Sequence, residues 1–228
     1  ALVERGYRDE WPDDLTDEEQ LLAELIQGDD EDDSGLQSYI RNMMAVMAFD
    51  ANRRGRLISE RELDQYALCL STAVTDALHY FIGHDDAPPP SEARYLPAMG
   101  AHITHMLRDT FEDAEAGYFN VPSELLEASA IGPRDVTSAP YREWVRGRAQ
   151  LARAYFTAGA NYLDQVRSLR CRLAGYAYMA RFIGILDAIE REDYQLRPAY
   201  PEVKGQGYGL RMAGSVCANA LLQGRGRR

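Results

Sequence analysis

The chain has 228 residues, 46% of them hydrophobic and 27% charged, a balance typical of one globular domain with a sizeable buried core. Its formal net charge is -11, from 36 acidic and 25 basic residues, which argues against non-specific binding to nucleic acid or to an anionic membrane. No stretch reaches the roughly 18 apolar residues that a membrane-spanning helix needs, and no cleavable signal pattern opens the sequence.

Helix signals dominate the first part of the chain. Thr16 and Glu19 form a capping box ahead of a short apolar helix that Gly28 ends. The acidic run over residues 29–33 predicts a solvated loop, since so many like charges would sit poorly inside a core. Apolar residues then recur at helical spacing and predict a helix over residues 36–50.

A second capping box, Ser59 with Glu62, predicts a core helix that Gly83 ends. A loop with three consecutive prolines separates it from a helix over residues 91–115. Later signals predict helices over residues 138–166, 173–192 and 210–222, with loops between them. No internal repeat, long linker or sheet-forming alternation is present, so we predict one all-α domain over residues 1–228.

The helix over residues 91–115 carries the side chains that are candidates for catalysis or metal binding. Because each helical residue advances about 100°, His102, Asp109 and Asp113 fall in one narrow stripe, with His105 and Glu112 on its flank. Carboxylates at i and i+4 repel each other, whereas Mg²⁺ prefers oxygen ligands and commonly bridges carboxylates to substrate phosphates. Two other interpretations stay open here: an ordinary acidic helix surface, and a transition-metal site of both histidines with Asp109.

The surroundings of this helix resemble a known family. Residues 105–113 read His-Met-Leu-Arg-Asp-Thr-Phe-Glu-Asp, and Gly117 and Phe119-Asn120-Val121-Pro122 follow them. Squalene/phytoene synthases carry a similar frame: Asn-Ile-Leu-Arg-Asp-x-x-x-Asp, then Gly-Arg and Tyr-Leu-Pro. Further matches in the same order are Phe49-Asp50, Glu62-Leu63-Asp64-Gln65-Tyr66, Ala152-Arg153-Ala154-Tyr155-Phe156 and Ile185-Leu186-Asp187-Ala188-Ile189-Glu190.

The resemblance implies an all-α helical bundle with a central cavity, of the isoprenoid synthase type. It also implies a Mg²⁺-dependent prenyltransferase, with Mn²⁺ as the alternative ion, that condenses two farnesyl or geranylgeranyl diphosphates head to head. Carried over to this chain, the catalytic residues are Asp109, Asp113 and Arg108, and the metal ligands are Asp109, Asp113, Glu112 and His105. The substrate-binding candidates are His102, His105, Arg53, Arg54 and Asp50.

The sequence also departs from the family pattern. No first Asp-rich helix is recognisable before Met43, His102 and His105 replace a Gln and an Asn, and Tyr118 replaces an Arg. We therefore expect the chain to be the larger C-terminal part of a longer protein whose N-terminal helices carry that first motif. The alternative is a non-catalytic relative that binds a lipid or a partner protein.

The cysteines indicate the compartment. Cys69, Cys171 and Cys217 are odd in number and widely spaced, so they predict neither a disulfide framework nor a zinc knuckle. A cytoplasmic location is expected, with peripheral membrane contact left open.

Overall fold

Helices make up most of the protein in the computed structural model, which describes residues 2–29, 33–83 and 89–201. The α-helices are α1 (Leu2–Gly6), α2 (Asp17–Gln27), α3 (Gly35–Arg53), α4 (Glu60–Leu78), α5 (Leu96–Ala116), α6 (Ser123–Ser129), α7 (Ala139–Leu163) and α8 (Leu169–Arg191). A π-helical turn, His79–Gly83, follows α4, and a 3-10 turn, Glu92–Tyr95, precedes α5. No strand occurs within the described ranges, so the predicted all-α class is confirmed.

Local capping chemistry explains where several helices begin. The Thr16 side chain accepts a hydrogen bond from the backbone N–H of Glu19, whose side chain reaches back to Thr16. Ser59 and Glu62 form the same reciprocal pair at the start of α4, as the sequence predicted. Ser138 caps α7, with Pro140 in its first turn, where a missing N–H is harmless.

The bundle is organised around α5. This helix packs against α4, α7 and α8; α3 packs on α4, and α7 packs on α8. The main core lies between α5, α7 and α8, where Leu107, Val145 and Leu186 are at most 1% exposed. Burying such a side chain stabilises the fold by roughly 1.5–3 kcal/mol, so the apolar stripes of these helices determine their orientation. In particular, the apolar face of α5 packs into the core, and the acidic C-terminal end of α5 lies at the edge of the bundle.

Three helix predictions were wrong in detail. The sequence predicted no helix between residues 115 and 138, but α6 forms there after Pro122. Helix α8 begins at Leu169, since Ser168 caps it, rather than at residue 173. The segment predicted as one helix over residues 91–115 opens with the 3-10 turn, and α1 was not predicted.

Some sequence predictions fall outside the described residues. These are the helix at 210–222, Cys217, the centre of the acidic run at 30–32 and most of the proline loop. Within the described ranges, no helix combines the length and apolar composition that crossing a membrane requires.

Candidate functional site

The acidic end of α5 forms one wall of a cleft of about 420 Å³, with the end of α3 and the start of α4 opposite. We call it the carboxylate cleft. Its lining comprises Asp50, Arg53, Tyr66, Leu70, His102, His105, Met106, Asp109, Asp113, Tyr118 and Asn120. The structure therefore places both predicted carboxylates of α5 in a concave site rather than on a convex surface.

Asp109 accepts hydrogen bonds at both of its oxygens. Arg108 donates from Nε to Oδ1 at 2.5 Å and from Nη2 to Oδ2 at 2.7 Å, and His105 Nε2 lies 2.9 Å from Oδ2. Partial burial raises the pKa of Asp109, but the hydrogen bond and charge of Arg108, aided by His105, outweigh burial and lower the pKa overall. Asp109 is thus held as a carboxylate with Arg108 beside it.

Asp113 has a different environment. Its Oδ2 atom accepts a hydrogen bond of 2.6 Å from the Asn120 side chain, and no arginine contacts it directly in the described structure. Burial raises the pKa of Asp113, and the neighbouring negative charge of Asp109 adds to that rise. Both effects indicate a carboxylate short of positive charge, a condition that a bound cation would relieve.

The opposite wall carries a charged pair from α3. Arg53 donates to Asp50 Oδ1 at 2.7 Å and to Asn120 Oδ1 at 2.8 Å, and its side chain is 6% exposed. The Tyr66 hydroxyl donates to Asp50 Oδ2 at 3.0 Å, and burial, with the charge of Asp50, raises the pKa of Tyr66 to about 12. The predicted residues Asp50 and Arg53 therefore face the α5 carboxylates across the cleft.

The two histidines share the cleft wall but differ in burial. His102 is 7% exposed, its ring lies 5.1 Å from that of Tyr66, and burial lowers its pKa to about 3. Its Nε2 atom is buried and makes no hydrogen bond within the described residues. The His105 side chain is 52% exposed, and burial, followed by the charge of Arg108, lowers its pKa less severely.

Two predicted site residues lie elsewhere. Arg54 is exposed and donates from Nε to the carbonyl of Ala116, which ties the turn after α3 to the end of α5. Glu112 is exposed and lines a second cleft of about 480 Å³, which we call the outer cleft. Arg108, Asp109, Arg181 and Tyr200 are among the residues that line it too. Glu112 lies about 100° around the helix from Asp113, and it lines the outer cleft rather than the carboxylate cleft.

The four predicted metal ligands, Asp109, Asp113, Glu112 and His105, do not form a complete metal site from protein side chains alone. Within the described ranges, no three side chains of His, Cys, Asp or Glu converge closely enough to hold a metal ion. What the cleft offers is two carboxylates at i and i+4, and Mg²⁺ is commonly bound by one or two carboxylates plus substrate phosphates and water.

An aromatic row connects the carboxylate cleft with a small inner cavity of about 50 Å³. His105 lies 6.1 Å from Phe182, and Phe182 lies 5.2 Å from Tyr178, measured between ring centroids. Tyr178 lines the inner cavity together with Leu78 and Ala98. Helix α5 therefore runs from a polar cleft at one end to an apolar cavity at the other.

Sequence reasoning missed the two apolar residues of the cleft lining, Leu70 and Met106, and three residues with polar side chains, Tyr66, Tyr118 and Asn120. The three polar residues are the ones that are candidates for binding. Each lies in a segment that carried the family resemblance, so its place in that segment was the available signal. Arg181 of the outer cleft was also missed, because a single arginine on the surface of α8 has no distinguishing pattern.

Comparison with known proteins agrees with this architecture. The family model described as "Squalene/phytoene synthase" matches residues 3–205. Among curated relatives, the 15-cis-phytoene synthase of Synechocystis sp. is 27% identical over 223 residues, covering 83% of this chain and 64% of that protein. Phytoene synthase 3, chloroplastic, of Zea mays is 33% identical over 116 residues, covering 46% of this chain and 26% of the relative.

Among solved structures, the squalene synthase HpnC from Alicyclobacillus acidocaldarius superposes with a TM-score of 0.67 at 17% identity. The match covers 86% of this chain and 72% of that one, and it shows a shared fold. The chain spans less than two thirds of the length of the two phytoene synthases named above.

Proposed function

Since this chain belongs to the squalene/phytoene synthase family, we propose that it forms the larger part of a prenyltransferase in isoprenoid biosynthesis. The proposed reaction joins two prenyl diphosphates, farnesyl or geranylgeranyl, head to head with Mg²⁺. The observation that carries the proposal is the carboxylate cleft, in which Asp109 and Asp113 face Asp50 and Arg53 next to an apolar interior.

The donor set of the cleft fits a hard divalent cation that shares its coordination with a substrate. Asp50, Asp109 and Asp113 supply three carboxylates, against the positive charges of Arg53, which is paired with Asp50, and of Arg108, which is paired with Asp109. When bound, Mg²⁺ would neutralise the charge that develops on a departing diphosphate. Asp109 and Asp113 are the residues that would hold that ion, because Mg²⁺ is commonly bound by one or two carboxylates together with substrate phosphates.

Arginine side chains are proposed to bind the diphosphate itself. The Arg108 guanidinium is already oriented by two hydrogen bonds to Asp109, and it lines the outer cleft together with Arg181. Because the Arg108 guanidinium is oriented before any ligand arrives, it can stabilise developing negative charge with little reorganisation. Arg53 has a different role, since Asp50 and Asn120 already occupy its guanidinium.

The aromatic row and the inner cavity mark the apolar side of the carboxylate cleft, but at about 50 Å³ the inner cavity is too small to hold an isoprenoid tail without moving its lining side chains. Phe182 and Tyr178 lie between the carboxylate cleft and Leu78 and Ala98, so a tail that displaced these side chains would pass from water into apolar surroundings. The faces of these rings also favour a nearby positive charge, so they would stabilise a carbocation formed after the diphosphate departs. Their position excludes water from the same space, which protects such a cation from capture.

One observation favours the second candidate, a non-catalytic relative that binds a lipid or a partner protein. Both oxygens of Asp109 accept hydrogen bonds from neighbouring side chains, so a cation must compete with Arg108 and His105 there.

Diphosphate release and product formation separate the two candidates. The protein to use is a longer form that carries a further Asp-x-x-x-Asp helix ahead of residue 1, supplied with Mg²⁺ and each prenyl diphosphate. We expect turnover to a C–C-joined product and a loss of about 10²–10³ in rate for Asp109→Asn. Glu115→Gln is the matched control, since Glu115 is exposed on the same helix and lies outside the cleft.

Two outcomes would contradict the proposal. Turnover that persists in Asp109→Asn would place the chemistry elsewhere. A folded longer protein without turnover would favour the non-catalytic candidate.

A further inference from the structure

Asn120 lies between the two charged walls of the carboxylate cleft. Its side-chain N–H donates to Asp113 Oδ2 at 2.6 Å, and its side-chain oxygen accepts from Arg53 Nη1 at 2.8 Å. Asn120 is 7% exposed and Arg53 5%, so the hydrogen bond between them is buried, while the one to Asp113 is partly buried. One amide therefore links the end of α3 to the second carboxylate of α5.

Backbone contacts hold Asn120 at this place. The Gly55 N–H donates to the Gly117 carbonyl at 2.7 Å, and the Ser123 N–H donates to the Ile58 carbonyl at 2.8 Å. Gly117 has a φ of 88°, a left-handed conformation that glycine adopts without strain as α5 ends. The loop after α5 and the turn after α3 are thereby joined on both sides of Asn120.

The partner of Asn120 on the other wall is equally constrained. The Arg53 guanidinium binds Asp50 and lies 5.1 Å from the Tyr66 ring and 5.0 Å from the Tyr118 ring. These contacts leave it little freedom to approach Asp113 directly, and the amide of Asn120 fills the space between them.

We propose that Asn120 is a positioning residue, which holds Asp113 in the orientation required for a cation and keeps the charge of Arg53 away from it. The proposal deepens the proposed function and rests on it, because it assigns Asp113 to Mg²⁺ binding.

The chemistry of the amide explains why an asparagine suits this place. A direct ion pair between Arg53 and Asp113 would neutralise the carboxylate and compete with a cation. The neutral amide of Asn120 satisfies both partners, donating to one and accepting from the other, and leaves the negative charge of Asp113 in place. The hydrogen bond from Asn120 to Oδ2 orients the carboxylate of Asp113 and leaves it with free lone pairs for a cation.

Mn²⁺ binding by the 228-residue chain tests the proposal without relying on turnover. The free Mn²⁺ is measured by electron paramagnetic resonance, and the melting temperature of each variant is measured alongside. We expect Asn120→Ala to weaken Mn²⁺ binding by about 10- to 100-fold, the usual effect of removing a partner that orients a metal ligand. Asn52→Ala is the matched control, since Asn52 is exposed and bonds only within α3.

A double variant distinguishes positioning from a general loss of stability. If Asn120 acts through Asp113, Asn120→Ala will have almost no further effect on Mn²⁺ affinity in an Asp113→Asn background. If Asn120→Ala fails to fold, Asn120→Ser replaces it, because a hydroxyl is too short to bridge both partners. If a folded Asn120 variant binds Mn²⁺ within twofold of the wild-type affinity, the positioning role of Asn120 is contradicted. The proposed metal site is not contradicted by that result. Absence of Mn²⁺ binding by the wild-type chain would overturn the positioning role together with the proposed metal site.

Discussion

His102 shows how burial sets the properties of a single residue on α5. Its imidazole is 7% exposed, and its pKa is lowered to about 3, mainly by burial and then by the charge of His105. In the unfolded chain the same group titrates near its ordinary pKa of 6.5. As the pH falls below that value, the unfolded state binds a proton that the folded state refuses, so the free energy of unfolding decreases.

The predicted effect can be measured as a difference between two proteins. Between pH 7.5 and pH 5.5 His102 should remove about 1.4 kcal/mol from the free energy of unfolding, and His102→Gln should lack that part of the loss. Urea denaturation of both proteins at the two pH values gives the comparison. An equal loss in wild type and variant would mean that His102 takes up its proton in the folded state.

His105 is predicted to influence which metal the cleft prefers. Its Nε2 atom lies 2.9 Å from Asp109 Oδ2, so an ion bound at that carboxylate would have an imidazole within reach. Imidazole suits zinc and other softer divalent ions better than Mg²⁺. We expect His105→Asn to weaken Zn²⁺ binding by about tenfold while changing Mg²⁺ affinity much less. Titrations with Mg²⁺, Mn²⁺ and Zn²⁺ test this, and an identical ranking in both proteins would contradict it.

At the scale of helices, the sequence predicted what local chemistry determines. The caps Thr16 and Ser59 and the apolar stripe of α3 act within one turn or one face, so their signals are visible in the chain itself. The short helix α6 was missed because it depends on the turn after Ile58, which lies far away in sequence. The π-helical turn after α4 likewise had no sequence signal.

In the candidate site, too, the sequence predicts the residues placed by local helical spacing and misses those that only the folded chain brings together. Asp109 and Asp113 were predicted because the helical period alone places them on one face. The contribution of Asn120 could not be predicted, since it depends on two loops that meet only in the folded chain. Arg54 was assigned to substrate because it adjoins Arg53, yet its side chain points to the carbonyl of Ala116.

Helix α7 offers a test of close packing by two glycines of the same helix. A Cβ atom added at Gly159 would lie 2.5 Å from the Pro97 ring of α5, whereas one added at Gly147 would meet nothing within 4 Å. We expect Gly159→Ala to destabilise the fold by about 1–3 kcal/mol through overpacking. Gly147→Ala should stabilise it by roughly 0.5–1 kcal/mol through helix propensity. Thermal unfolding of both variants measures this, and similar shifts would mean that α7 can move away from α5.

At the scale of the whole molecule, charge limits what the chain can bind. The net charge of -11 repels a prenyl diphosphate at a distance, so binding depends on local cations. In the carboxylate cleft the described residues offer one arginine, which is already paired, and a single i, i+4 carboxylate pair on α5. Affinity for an anionic substrate therefore depends on divalent ions in this cleft together with Arg108 and Arg181 of the outer cleft, and the number of ions depends on how many carboxylates face one another.

We accordingly expect the 228-residue chain to bind farnesyl or geranylgeranyl diphosphate weakly and to turn it over very slowly. A longer protein with a facing Asp-x-x-x-Asp helix should be active, because a second carboxylate pair holds further ions against the leaving diphosphate. Each lost contact of such preorganised stabilisation typically lowers the rate by about 10²–10³. Diphosphate release by both proteins, at equal Mg²⁺ and substrate concentrations, measures the difference. Equal rates would show that the cleft between α3, α4 and α5 is sufficient, and that Asp50 and the α5 carboxylates bind every ion the reaction needs.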